Sequence, residues 1–181
     1  MNQVHLALLR GINVTGYKVI KMADLKAMFI ELGHQKVETY IQSGNVVFTP
    51  SKNDDALTIS LQIEQAIQER YQFEVSVLVL SSQELQKVVE SNPFMKRENI
   101  ETEKLYVTFL SKTPEPAQAA VLNEVLFPPE EFVLHEKAVY IHCTNGYGNT
   151  KLTNLLFEKK LKTTATTRNW KTVNKLLEML S

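Results

Sequence analysis

Residues 36–49 read KVETYIQSGNVVFT. The runs Lys36–Gln42 and Asn45–Thr49 are β-prone, and Ser43-Gly44 between them is a turn signal, so the stretch is a hairpin. On its N-terminal side lies a helix, Met22–Leu32. Its stripe is Met22, Leu25, Met28, Phe29 and Leu32, and Gly33 stops it. Before that comes Val4–Leu9, an apolar run suited to a strand buried on both faces. On the C-terminal side, Asp54 or Asp55 caps a helix carrying Ile59, Ile63, Ala66 and Ile67, and Phe73–Leu80 alternates as a fourth strand. The order is β-α-β-β-α-β, a split βαβ or ferredoxin-like unit.

Further along, the same order recurs. Ser81 and Glu84 form a capping box for a short helix, and Ser91-Asn92-Pro93 breaks it. Leu105–Leu110 is a strand. Thr113-Pro114 opens a helix running to about Leu126. Phe132–His135 and Ala138–Cys143 pair across Glu136-Lys137. Asn149 or Thr150 caps a helix with Leu152, Leu155 and Leu156. Thr163–Thr167 is the last strand. Asn169 caps a final helix to Leu180, with Val173, Leu176, Leu177 and Leu180 as its stripe. The expected fold is α+β: two tandem ferredoxin-like subdomains with an extra C-terminal helix. The halves are residues 1–91 and 104–181, joined by a polar link at 92–103.

The 181 residues include 20 basic and 20 acidic side chains. A zero net charge argues against a general nucleic-acid binder. The charge is unevenly spread, however. Residues 145–181 are net +5 and residues 1–26 are net +3, which makes a local basic surface or a merely solvated face. The single cysteine, Cys143, rules out an internal disulfide and fits a reducing cytosol. No run is long and apolar enough for a membrane span, and the N-terminus does not read as a signal peptide.

Three segments could hold a ligand. Arg10–Lys21 is a long strand-to-helix loop with Gly11 and Gly16. It is not a P-loop, because Tyr17 and not Lys follows the second glycine and Val19 follows Lys18. It could still bind an anion through Arg10, Lys18 and backbone N–H groups, or it could be a long loop in which Asn13 bonds locally. Ser43 and Asn45 sit at the hairpin tip, where turn preference explains them equally well. Residues 145–151, NGYGNTK, precede a helix and end on Lys151, and lack the third glycine of a dinucleotide fingerprint. The strongest candidate is residues 163–173, TTATTRNWKTV. It places Arg168 and Asn169 at a helix start, where free N–H groups favour an anion, with Trp170 beside them.

Catalytic sets are missing. The four histidines have no metal-ligand spacing, so no metal or cofactor is expected. His142 and Cys143 are adjacent on a strand and face opposite ways, so they form no dyad, and Cys143 shares a core face with Val139 and Ile141. Tyr106 and Tyr140 fall on strands expected to be neighbours, which raises base stacking, but the basic-aromatic signature of such modules is absent.

Taken together, the segments LRGINV at 9–14, YIQSGNVVF at 40–48, Asn92-Pro93-Phe94, Thr150–Asn154 and ATTRNWKTV at 165–173 resemble the bacterial family known as domain of unknown function 1697. The resemblance implies an α+β fold of tandem ferredoxin-like subdomains and supplies no activity.

The functional expectation is therefore an uncharacterised cytosolic protein that binds an anionic, phosphate-bearing ligand. Arg10, Asn13, Lys18, Ser43, Asn45, Lys151, Arg168, Asn169 and Trp170 are the candidate ligand residues, with nucleic acid as a lesser alternative and no membrane. Two other roles stand beside it. One is a structural or protein-interaction module with no small ligand, in which Arg168 is paired with a carboxylate such as Glu158 and covered. The other is an enzyme on a phosphorylated or nucleotide substrate, with Glu158 the one base that can be named.

Overall fold

The structure, a computed structural model, describes residues 3–181. These residues form two four-stranded antiparallel sheets and six α-helices. The chain divides into two compact units. One runs to Gln86 and takes in Leu176–Ser181; the other is Lys87–Lys175.

In the first unit, β1 (His5–Leu9), β2 (Gln35–Tyr40), β3 (Asn45–Thr49) and β4 (Val77–Ser81) alternate with α1 (Met22–Glu31) and α2 (Ala56–Tyr71), and α3 (Ser82–Glu90) follows. The sheet order is β2-β3-β1-β4. β1 lies centrally, with Ala7 opposite both Val46 and Val79. That face packs under Leu25, Met28 and Phe29 of α1 and Ile59, Ile63 and Ile67 of α2. The opposite face, with Leu6, Leu8 and Val47, is equally buried. This is why β1 reads as a continuous apolar run with no alternation. Asp55 caps α2 by accepting from the Thr58 N–H at 2.9 Å. The Ser81–Glu84 box forms in both directions, at 2.9 and 3.2 Å.

In the second unit, 3-10 turns at Pro93–Lys96 and Thr102–Lys104 lead into β5 (Leu105–Leu110). There follow α4 (Pro116–Asn123), β6 (Glu131–His135), β7 (Ala138–His142), α5 (Asn154–Leu161), β8 (Ala165–Asn169) and α6 (Trp170–Met179), which passes at Leu176 into the first unit, with sheet order β6-β7-β5-β8. Leu110, Val139, Ile141, Cys143 and Ala165 line one face, packed with Leu122, Phe157 and Leu161.

Several boundaries differ from the sequence reading; β4, for one, starts at Val77 and not at Phe73. α4 starts at Pro116, because Gln118 reaches back to the Glu115 N–H at 3.2 Å and fixes the first turn there. It stops at Asn123, since Leu126, 79% exposed, has no core to enter. The cap of α5 is Thr153, whose hydroxyl accepts from the Leu156 N–H at 3.3 Å. Thr150 instead donates its hydroxyl to Glu130 at 2.7 Å. β8 runs two residues further than expected, so Arg168 and Asn169 belong to the strand.

Candidate functional site

Loop 10–21 of the first unit is tightly specified. Asn13 adopts the left-handed conformation (φ 56°), which its short polar side chain tolerates. Its Nδ2 donates to the carbonyls of Ile20 and Gln42, both at 2.9 Å, and its Oδ1 accepts from the Ile20 N–H at 2.9 Å. The carboxamide thus ties the loop's two ends together and both to the hairpin turn at 41–44. Thr15 and Gly16, at φ 47° and 82°, turn a small antiparallel bridge between Val14 and Tyr17. Lys18 donates its ammonium to the Glu74 carbonyl at 2.6 Å. Despite this bracing, Val14, Tyr17 and Val19 point to solvent, Tyr17 with 76% of its surface exposed.

At the hairpin tip Asn45 is fully buried, with Nδ2 donating to the Tyr40 carbonyl and Ser43 Oγ, each at 2.9 Å. Gly44 between them has φ +80°, and its carbonyl accepts from Leu9 N at 2.8 Å.

In the second unit, β8 pairs Arg168 with Val107 and Thr167 with Thr108. Strand alternation therefore sends Arg168 to the face away from the α4–α5 core. The side chain is buried, 8% exposed. Its guanidinium donates to Thr166 Oγ1 at 3.1 Å and to the Thr167 carbonyl at 2.9 Å. Burial pulls its pKa down to about 10, so it stays cationic at neutral pH. Asn169 caps α6, its Oδ1 accepting from the Thr172 N–H at 2.7 Å. Trp170 is buried too. Lys151 lies on the surface, its ammonium 5.5 Å from the centre of the Phe127 ring. Glu158, the one nameable base, accepts from the Ala165 N–H at 3.1 Å and helps to hold the start of β8.

One polar chain escapes sequence reading. Thr108 and Thr167 share a hydrogen bond at 2.6 Å, and Thr167 donates to Asn154 Oδ1 at 2.6 Å. Tyr147 stacks on Tyr106 with ring centres 4.8 Å apart. The β5–β8 register brings Thr108 to Thr167, and α5 and the turn at Tyr147–Asn149 supply the other two partners, although the threonine run was a visible signal. The same register denies a stacking platform: Tyr106 lies opposite Ile141 and Tyr140 opposite Val107, so the two tyrosines face opposite ways. Tyr140 is buried, its hydroxyl donating to the Val88 carbonyl at 2.7 Å, and burial raises its pKa to about 12.

Cys143 is buried in the core, which pushes its thiol up to about 11. Thiolate is the reactive form. The native protein should therefore resist iodoacetamide at pH 8 and be modified fully after denaturation, as counted by mass spectrometry. His34 is buried against Phe29 and Phe48, and burial lowers its pKa. Among the described residues no group of three or more His, Cys, Asp or Glu could hold a metal ion, and no helix is long and apolar enough to cross a membrane.

A family model described as protein of unknown function (DUF1697) matches residues 1–140. No curated protein matches the chain. Among solved structures, the conserved bacterial protein SP0830 from Streptococcus pneumoniae is similar: 25% identical, with 99% of each chain covered and a TM-score of 0.77.

Proposed function

The chain belongs to DUF1697, a family described only as of unknown function, and from that premise we propose that it is a protein-interaction module with no small ligand. In this reading it is built of two tandem ferredoxin-like halves, and its polar motifs serve the fold. The observation that carries the proposal is Arg168. The side chain is covered, and two of its guanidinium bonds end on its own strand, at Thr166 and Thr167. The carboxamides of Asn13 and Asn45 are likewise committed to the chain itself. Outward recognition falls to loop 10–21, where a braced backbone displays Val14, Tyr17 and Val19. Three exposed apolar side chains on one braced loop offer a partner a ready contact. Its single cysteine, buried and unreactive, suits a reducing, cytosolic setting.

Arg168→Ala is the test. Losing the buried guanidinium bonds and the stem's packing should lower the unfolding free energy by about 2–3 kcal/mol. The fluorescence of Trp170, the only tryptophan, should stay constant while nucleotides and sugar phosphates are titrated, and thermal melting should not move. A saturable change lost in Arg168→Ala would sink the proposal. It would favour the second reading, an anionic, phosphate-bearing ligand at the start of α6. That reading draws support from the charge Arg168 keeps beside a helix of ten residues, with Asn169 already aligned on its first turn.

A further inference from the structure

We propose that β6 is the contact edge of a homodimer, in which two copies of the chain pair antiparallel, β6 against β6, about a two-fold axis at Val133. β6 ends the order of the second sheet and pairs on one side only, with β7. Its register is unbroken over five pairs, from Glu131↔His142 to His135↔Ala138. Its burial alternates, with Glu131, Val133 and His135 exposed and Phe132 and Leu134 turned to the core. The edge strand β2 in the first sheet is guarded differently. A register shift lies between Gln35 and Glu38, and Lys36 sits at φ 49°. Such irregularities and charges are how edges avoid adding a strand, and the described residues of β6 carry no register shift.

The strand is complementary to itself. A two-fold at Val133 sets Val133 against Val133 of the second copy, Phe132 against its Leu134, and Glu131 against its His135. Acid then meets imidazole at both ends, and apolar meets apolar between. The hydrogen bonding agrees with this register. In a two-residue hairpin the pair flanking the turn, here His135 and Ala138, is hydrogen-bonded, so Glu131, Val133 and His135 spend their backbone groups on β7. Phe132 and Leu134 direct theirs outward, and these are the residues the two-fold places opposite each other. Arg97 already holds Glu131 from the same chain at 2.6 Å, which orients its carboxylate on the exposed face. An apolar depression lined by Leu126, Phe127, Pro128 and Phe132 adjoins the strand and widens the surface available to the second copy. A single shared edge is a small interface, so the expected dissociation constant is of order 10 μM.

Sedimentation equilibrium of the full chain, from ~1 μM to ~1 mM, tests this. The wild type should pass from monomer to dimer. Val133→Lys puts two like charges on the axis at an exposed position and should weaken the dimer about tenfold or more, with an unchanged circular dichroism spectrum. His135→Glu should weaken it by opposing Glu131, whereas His135→Lys, which leaves the Arg97–Glu131 pair in place, should preserve it. A wild type that stays monomeric across the range overturns the proposal. So does a dimer indifferent to Val133→Lys or to His135→Glu, since each places any contact elsewhere or in another register.

Discussion

Gly44→Ala lowers the unfolding free energy by about 3 kcal/mol and the melting temperature by roughly 6–12 °C, as measured by calorimetry. Two costs combine. Gly44 sits at φ +80°, a conformation that an alanine adopts at a penalty of roughly 1 kcal/mol or more. The added Cβ would also lie 2.7 Å from Leu9 Cβ and 2.9 Å from Ile12 Cδ1. Neither neighbour can easily move. Leu9 belongs to a central strand and its N–H is bonded to the Gly44 carbonyl, and Ile12 is buried in the same core. Gly11→Ala separates the two costs, because Gly11 is at φ +67° and a Cβ added there would meet nothing within 4 Å. It should lose only about 1 kcal/mol. Equal losses in the two variants would mean that crowding at the hairpin tip is unimportant.

Asn13→Asp should cost about as much, for a different reason. The carboxamide donates both hydrogens to carbonyl oxygens. A carboxylate cannot donate, so two carbonyls lose their partner and face a negative charge instead. A loss of about 3 kcal/mol at pH 7 is expected by chemical denaturation. Part of it should return below pH ~4, where the new carboxyl takes up a proton and can donate again. Asn13→Ala, which brings no charge, should show no such recovery. A variant of unchanged stability would mean that the loop is held from elsewhere.

The elements most legible in the sequence were those with a local physical signal. β1 declared itself by continuous apolarity, and α2 and α3 by caps that need only residues three positions apart. The hairpin at 36–49 declared itself by its turn. The failures are equally physical. Thr113-Pro114 and Asn149-Thr150 have the chemistry of helix starts, and so do Glu115-Pro116 and Thr153. Gln118 closes a capping box with Glu115, which competes locally with Thr113-Pro114, while Glu130, twenty residues from Thr150, takes the hydroxyl that would have capped α5. The Asn169 cap that sets Arg168 beside the start of α6 is legible from the local pattern, but the covering of Arg168 is not. Its burial follows from the pairing with Val107, and pairing is not written in a single strand. The same limit hid the Thr108–Thr167–Asn154 chain, whose members lie far apart in sequence. The candidate residues could therefore be named in advance, while their engagement by the fold could not.

The division of the chain has a consequence for biosynthesis. The first unit includes Leu176–Ser181, yet the ribosome adds these residues only after the entire second unit has been made. Leu176 and Leu180 are buried in the finished protein. Residues up to Gln86 thus leave the exit tunnel first and wait for more than eighty further residues before their last helical turn arrives. Domains usually fold as units in order of synthesis. Here the earlier unit is completed last, so nascent chains arrested between 87 and 175 would carry an incomplete first unit, a state in which a holdase chaperone finds its opportunity.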